Sequence, residues 1–188
     1  MRTVRMKKYI MHELYDTNTL ANDIALVAPQ ESLRLGRNVK RVAIHRKFPE
    51  SKYAYIAGWG ITNKVVSANK HFSRSQTKFC YVQKTDQRLA QTLKYVSQKI
   101  QEPQVCKLIG KRPVGTFCAG SIKKQSGPAR GDSGSALVIS NYIQIGIVSY
   151  KVQKYSLVVY TNVSYHYRWL RRRAPQLFCR RTGQKRTF

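Results

Sequence analysis

The sequence predicts an all-β fold with one or two short helices. Short runs rich in β-branched and aromatic residues alternate with turn residues along the chain. Hydrophobic residues make up 42% of the 188 residues, which is enough to bury a core and argues against a disordered chain. No apolar run approaches the ~18 residues that a membrane-spanning helix needs. A chain of this length forms one compact domain, or one domain and an incomplete second.

Four segments have the composition of strands. They are residues 53–59, which lead into a turn at Gly60, and then 136–140, 142–150 and 155–161. The second and third are expected to flank a turn at Asn141. Val163, Tyr167 and Leu170 recur at helical spacing, which predicts a terminal helix over residues 163–173.

The middle of the chain carries less regular patterns. Leu89, Leu93, Val96 and Ile100 recur at steps of four, three and four, which predicts a helix over residues 86–99. Pro103 predicts the start of another helix. Residues 61–88 are polar and basic and are expected to form an exposed loop. The basic side chains of this loop are Lys64, Lys70, His71, Arg74, Lys78, Lys84 and Arg88.

The charge of the chain is strongly positive. Lys and Arg number 35 against 8 Asp and Glu, a net charge of +27. Such a chain is expected to meet an acidic partner, such as nucleic acid, a sulfated glycan, an anionic membrane or an acidic protein. Charge alone supports nucleic-acid binding, because no helix-turn-helix, zinc-finger or RRM signature is present. The first eight residues are basic, but no apolar stretch of signal-peptide length follows them.

The four cysteines allow two disulfides. Cys80, Cys106, Cys118 and Cys179 can pair in three ways. None of the spacings is of the CxxC type that structural zinc sites use, so no metal is expected. The count does not decide the compartment, because a cytosolic chain can also carry four buried thiols.

One motif carries a specific chemistry. Gly131-Asp132-Ser133-Gly134 lies between a polar loop and the strand predicted at 136–140. A serine on a tight turn flanked by glycines can present its hydroxyl outward. The backbone N–H groups of Gly131 and Ser133 can then converge on one point, where an oxyanion would be stabilised. All four residues also favour ordinary turns, so the motif alone does not assign a function.

The chain resembles the chymotrypsin/trypsin-like serine protease family in the order and spacing of six blocks. The blocks are Asn22-Asp23-Ile24-Ala25-Leu26-Val27, Ala57-Gly58-Trp59-Gly60, Phe117-Cys118-Ala119-Gly120, Gly131-Asp132-Ser133-Gly134, Gly146-Ile147-Val148-Ser149-Tyr150, and Val159-Tyr160-Thr161-Asn162-Val163 continuing to Trp169-Leu170. The resemblance implies a trypsin-like double β-barrel with an incomplete first barrel, an essentially complete second barrel and a C-terminal helix. It implies a strand over residues 89–96, in place of the helix that the spacing of apolar residues predicts over 86–99. The protease domain would span residues 1–170, followed by a basic tail over 171–188.

The resemblance also implies roles for individual residues. Ser133 corresponds to the nucleophile and Asp23 to the carboxylate that orients the general-base histidine. The oxyanion donors would be Gly131 and Ser133. Asp132 corresponds to the carboxylate that accepts a new N-terminal amine in activated members. Substrate backbone would pair with Ser149, Tyr150 and Lys151, and a disulfide would join Cys106 to Cys118. Cys80 and Cys179 have no family counterpart.

A general-base histidine is missing from the blocks. Only 22 residues precede Asp23, and no Thr-Ala-Ala-His-Cys-like block or Ile-Val-Gly-Gly activation site occurs among them. His12 corresponds to a non-catalytic histidine of the family. His45, His71 and His166 fall in a connector, the basic loop and the terminal helix. Loss of this histidine lowers kcat on the order of 10⁶-fold in an unrelated serine protease, so the chain as given is expected to be inactive on its own.

The specificity pocket departs from the trypsin pattern. Gly127 stands where trypsin-like members carry an acidic residue, and Lys151 and Val158 stand at the two wall positions that are glycine in the family. Cleavage after basic residues is therefore not expected. Larger wall side chains would shorten or block the pocket.

Two main interpretations of function follow. The first is a secreted serine endopeptidase, without a cofactor, whose N-terminal part is missing from this chain and whose partners are polypeptide substrates or inhibitors. The second is a serine protease homologue that does not cleave and acts as a binding or regulatory module, with a polyanion such as heparin as one partner. The first is favoured by the intact residues Asp23, Gly131, Asp132 and Ser133. The missing histidine, the altered pocket and the net charge of +27 favour the second.

Overall fold

The computed structural model describes residues 4–68, 83–123, 126–152 and 154–178. His71, Cys80 and Cys179 lie outside these residues, as does the part of the predicted basic tail that follows residue 178. The pairing of Cys80 and Cys179 therefore stays open.

Strands dominate the described residues, and two helices accompany them. The strands are β1 Met6–Met11, β2 Ala25–Pro29, β3 Tyr53–Gly58, β4 Ile61–Ala68, β5 Gln83–Leu89, β6 Lys94–Lys99, β7 Thr116–Ser121, β8 Ala136–Ile139, β9 Ile143–Lys151 and β10 Ser156–Asn162. Helix α1 covers Pro103–Cys106 and α2 covers Tyr167–Phe178. Short 3₁₀ turns lie at Lys107–Ile109 and Ser140–Tyr142.

Six strands form a curled antiparallel sheet in the order β6-β3-β8-β9-β10-β7. Its two edge strands meet at a bridge between Ile100 and Ala119, and the N–H of Gln101 donates to the carbonyl of Cys118 at 3.1 Å. The sheet thereby closes on itself, which removes its open edges. The interior is filled by apolar side chains such as Leu137, Ile145 and Tyr160, all fully buried. This barrel confirms the predicted second barrel.

The N-terminal residues contribute a single pair of strands. β1 and β2 pair antiparallel, and Ile10 and Leu26 pack on a buried cluster of Ile24, Val163, Trp169 and Leu170 that ties the pair to α2. The other face of the pair leaves Tyr9, Met11 and Val27 more than half exposed. The all-β fold with an incomplete first barrel is therefore confirmed.

Two of the predictions for residues 61–100 are wrong. The helix that the spacing predicted over 86–99 is absent, because β5 and β6 occupy this stretch. The strand that the resemblance implied over 89–96 is interrupted at residues 90–93, which join β5 to β6. The loop predicted over 61–88 begins and ends as strands, since β4 and β5 pair from Ile61 with Leu89 to Ala68 with Gln83. Antiparallel pairing satisfies the backbone groups of both strands whatever the polarity of their side chains, so composition did not reveal it.

The terminal helix is shifted relative to its prediction. Residues 163–166 form turns, and the side chain of Asn162 accepts from the N–H of Tyr165 at 3.0 Å. The helix then continues past Arg173 to Phe178, although Pro175 lies within it. Arg171, Arg172 and Arg173 are therefore helical, and Arg173 forms an ion pair with Glu13.

The predicted disulfide is present. Cys106 and Cys118 are bonded, with their Cα atoms 5.8 Å apart, and they pack with Leu157 in a small buried cluster. The bond joins α1 to β7 at the seam where the barrel closes. No helix among the described residues is long and apolar enough to cross a membrane.

Candidate active site

The loop before β8 is anchored by the buried carboxylate of Asp132. Its Oδ1 accepts the N–H of Gly60 at 2.8 Å, and its Oδ2 accepts the N–H of Ala129 at 2.9 Å. A Cβ atom at Gly58 or at Gly60 would collide with this carboxylate. The two glycines thus provide the space in which Asp132 holds the loop to the end of β3.

Ser133 lies exposed at the tip of this loop. Gly134 donates to the carbonyl of Val148 at 2.9 Å, and Val148 donates to the carbonyl of Ser135 at 3.0 Å, so the loop is clamped to β9. Gly131 has φ 97°, a conformation that favours glycine. Within the described part of the chain, the N–H groups of Gly131 and Ser133 donate to no acceptor. Both remain available to an incoming oxygen.

Asp23 is joined to β9 through Ser149. Ser149 is an extra residue in β9, because Tyr150 pairs with Val159 and Val148 pairs with Tyr160. Such a bulge redirects a side chain, and the hydroxyl of Ser149 donates to Oδ2 of Asp23 at 2.6 Å. The hydroxyl of Thr161 donates to the carbonyl of Asp23 at 2.8 Å. The aspartate is therefore held in place from both β9 and β10.

A groove of about 1,010 Å³ runs past these residues. It brings together most of the residues that the sequence singled out, namely Gly127, Asp132, Ser133, Ser149, Tyr150, Lys151 and Val158. Asp23 and Gly131 lie beside the groove and do not line it. The ammonium of Lys151 donates to the carbonyl of Pro128 at 3.2 Å, and Val158 is fully buried below it. Lys151 thus crosses from β9 to the segment that carries Gly127.

The described lining of the groove carries more positive than negative charges. Lys94, Arg130 and Lys151 line it, whereas Asp132 is the single carboxylate among its described lining residues. Burial raises the pKa of the Tyr150 hydroxyl, although nearby Arg112 opposes this. Burial, and then the charge of Asp132, raise the pKa of Tyr160. Both phenols stay neutral near pH 7, so the three cations set the sign of the field.

None of the described histidines lines the groove. The ring of His12 stacks on Trp169 with centroids 4.9 Å apart. The ring of His166 lies 2.9 Å from the carbonyl of Asn162 and 3.2 Å from Oδ1 of Asn22. Burial lowers the pKa of both imidazoles. His45 is exposed in the segment that precedes β3.

Comparison with known proteins identifies the family of this chain. The family model described as Trypsin matches residues 1–170. The chain belongs to the trypsin family. Chymase from Mus musculus is 27% identical to this trypsin-family chain over 172 residues, which cover 89% of the chain and 61% of that protein. Trypsin eta from Drosophila melanogaster is 32% identical over 173 residues, which cover 89% of the chain and 59% of that protein.

Granzyme B from Rattus norvegicus is a third relative, 28% identical over 172 residues that cover 88% of the chain and 60% of that protein. The trypsin-family chain thus spans about three fifths of the length of the curated relatives it matches.

Sequence reasoning missed three features of this site. It assigned Ser149 to substrate pairing and did not anticipate its bond to Asp23, since 126 residues separate the two. It did not place Lys94 and Arg130 in the groove, because their neighbourhood depends on the β5–β6 turn and on the loop before β8. It expected the side chains of Lys151 and Val158 to narrow the pocket. It did not anticipate that Lys151 would donate a hydrogen bond across the pocket to the carbonyl of Pro128. No cluster of His, Cys, Asp or Glu suited to a metal ion occurs among the described residues.

Proposed function

We propose that this trypsin-family chain carries the nucleophile side of a serine endopeptidase site. Ser133 is the attacking hydroxyl, and the N–H groups of Gly131 and Ser133 are the oxyanion donors. Asp23 is the carboxylate that orients an imidazole, and the groove receives a polypeptide substrate or inhibitor. The observation that carries this proposal is the 2.6 Å bond from Ser149 to Asp23, which holds the carboxylate beside the strand that the Ser133 loop is clamped to.

The reaction needs a general base that takes the proton of the Ser133 hydroxyl as the hydroxyl attacks the peptide carbonyl. Asp23 alone does not fill this role, because the carboxylate of a triad positions the imidazole and does not itself take the proton. No histidine among the described residues lines the groove, so in this proposal the base is an imidazole supplied by other polypeptide or by an added small molecule. A secreted location follows the resemblance to the protease family and belongs to the same proposal.

The second candidate is a homologue that binds polypeptide or polyanion without cleaving it. The bond from Lys151 to Pro128 favours it, because this bond spans the pocket that would receive a substrate side chain. The net charge of +27 favours an acidic partner.

A fluorophosphonate probe separates the two candidates, because it labels a serine only when that serine is activated. Without a base we expect labelling on the order of 10⁶-fold slower than that of an intact serine protease. Added imidazole should accelerate labelling of the chain but not of the Ser133→Ala variant. The Asp23→Ala variant should respond less to imidazole. Labelling that imidazole leaves unchanged would favour the non-cleaving homologue.

A further inference from the structure

We propose that the groove selects acidic polypeptide segments, through Lys94, Arg130 and Lys151. This inference rests on the proposed function, because it takes the groove to be the place where a polypeptide lies. It adds the chemical class of the polypeptide, which the family membership does not provide.

The three cations come from three different parts of the barrel. Lys94 begins β6, Arg130 lies in the loop before β8, and Lys151 ends β9. All three are exposed at the groove. Arg130 lies three residues from Ser133, and Lys151 lies two residues from Ser149. A polypeptide that reached Ser133 would therefore pass cations on more than one side.

Acidic groups do not compensate these cations within the groove. Asp132 is the one carboxylate among the described lining residues, and both of its oxygens are occupied by the N–H groups of Gly60 and Ala129. Asp23 lies outside the lining and accepts the Ser149 hydroxyl. Lys151 itself is satisfied by a neutral carbonyl, that of Pro128, rather than by a carboxylate. Within the described part of the chain, none of these three cations forms an ion pair with a carboxylate, so an incoming carboxylate could pair with them.

The shape of the groove favours a polypeptide over an extended polyanion. Within the described residues, β8 pairs with β9 between Ile143 and Ile147, and Gly134 and Ser135 bond to Val148. Beyond Val148 this edge of β9 faces the groove. An extended peptide can add to such an edge through main-chain hydrogen bonds, while the neighbouring side chains determine specificity. A sulfated glycan has no main chain to pair with this edge.

Three short fluorescent peptides with a common Ala/Ser background test the proposal. They differ in three central side chains, which are Glu, Gln or Lys, and binding is measured by fluorescence anisotropy near physiological ionic strength. The Glu peptide should bind more tightly than the Gln peptide, and the Lys peptide least. In the variant K94Q/R130Q/K151Q the Glu peptide should lose about tenfold in affinity, because each exposed ion pair changes affinity by roughly 1.4- to 5-fold.

The matched control removes the same number of charges elsewhere. The variant K7Q/R37Q/K47Q changes two lysines and one arginine that are exposed and do not line the groove. It should retain most of its affinity for the Glu peptide. A charge reversal, K94E/R130E/K151E, should bind the Lys peptide more tightly than the Glu peptide, and this gain of binding does not arise from misfolding.

Each other outcome overturns the proposal in a distinguishable way. Equal binding of the three peptides would leave the polypeptide groove intact but remove its preference for acidic segments. Equal losses in the groove variant and the control variant would show that the overall charge of the protein, and not the groove, attracts the peptide. Failure of all three peptides to bind would contradict the proposed function together with this inference.

Discussion

The hydroxyl of Ser149 donates to Oδ2 of Asp23 at 2.6 Å, although 126 residues separate the two in the sequence. We predict that Ser149→Ala destabilises the protein by about 1.5–3 kcal/mol, the usual worth of a hydrogen bond to a charged group. Denaturant unfolding measures this loss. Ser97→Ala, on the exposed side of β6, is the control and should change stability little. Equal effects of the two variants would mean that the bond contributes nothing to the fold.

Gly60 is predicted to tolerate no side chain. A methyl group at this position would meet the carboxylate of Asp132, so Gly60→Ala should displace the Ser133 loop and cost roughly 1–3 kcal/mol, as overpacking does elsewhere. Gly36→Ala is the matched control, because nothing lies within 4 Å of the atom it adds. Thermal or denaturant unfolding of the two variants compares them. If the Gly60→Ala protein were as stable as the Gly36→Ala protein, this would contradict the conclusion that Gly58 and Gly60 provide the space for the Asp132 carboxylate.

The bond between Cys106 and Cys118 should be a strong contributor to stability. Replacement of both cysteines by alanine should cost about 2–4 kcal/mol, since the bond between positions 106 and 118 restricts the conformations of the unfolded chain. Peptide mapping under non-reducing conditions checks the pairing itself. A mapped pair between either residue and Cys80 or Cys179 would contradict the structure.

Stability should fall as the pH drops from about 7.5 to about 5.5. The pKa of His166 is lowered, mainly because the imidazole is buried. The hydrogen bond of His166 to the Asn162 carbonyl raises this pKa, and nearby His12 lowers it further. Burial also lowers the pKa of His12, Glu13 opposes this, and Arg172 and Arg173 add to it. The unfolded chain therefore binds more protons than the folded protein just below the ordinary pKa of histidine, so folding is favoured at higher pH.

The variant His166→Gln tests this dependence. It should flatten the decline in the free energy of unfolding between these pH values, whereas the exposed Ser97→Ala should leave the decline unchanged. An equally steep decline in His166→Gln would show that other groups produce the pH dependence.

The net charge of +27 predicts salt-sensitive binding to polyanions without sequence preference. If about five to eight cations neutralise phosphates, the log–log salt slope on duplex DNA should be about −4 to −7 between about 50 and 200 mM salt. Residues 171–178 belong to α2, so the informative truncation begins at Cys179. It removes Arg180, Arg181, Lys185 and Arg186 and should flatten the slope by up to about 3.6. A slope near zero in the full chain would exclude polyanion binding.

The sequence predicted the elements whose signal is local. The strands around Asn141 and the strand that became β10 are recognisable because β-branched and aromatic residues fill them. The Cys106–Cys118 pair and the barrel architecture followed from the order of the family blocks. The helix prediction for residues 86–99 was wrong. Two strands joined by a turn can place apolar residues at the same sequence steps as a helix, as they do at Leu89, Leu93, Val96 and Ile100.

The remaining features depend on contacts between distant residues. Pro175 disfavours a helix interior, yet α2 extends to Phe178, and the ion pair of Arg173 with Glu13 fixes this helix to the N-terminal strands. The hydrogen bond from Lys151 to the carbonyl of Pro128 depends on how close β9 lies to the segment that carries Gly127. Neither spacing nor composition encodes such contacts.

The attachment of the N-terminal strands to α2 has a consequence for biosynthesis. The indole of Trp169 donates to Glu13 across 156 residues, and Lys8 donates to the carbonyl of Gln176 across 168 residues. A nascent chain emerges from the ribosome N-terminus first, so β1 and β2 lack their packing partner until α2 has been synthesised. Contacts this distant in sequence slow folding. During this interval the side chains of Ile10 and Leu26 lack the cover that α2 provides, so apolar surface of the unfinished polypeptide is exposed to solvent.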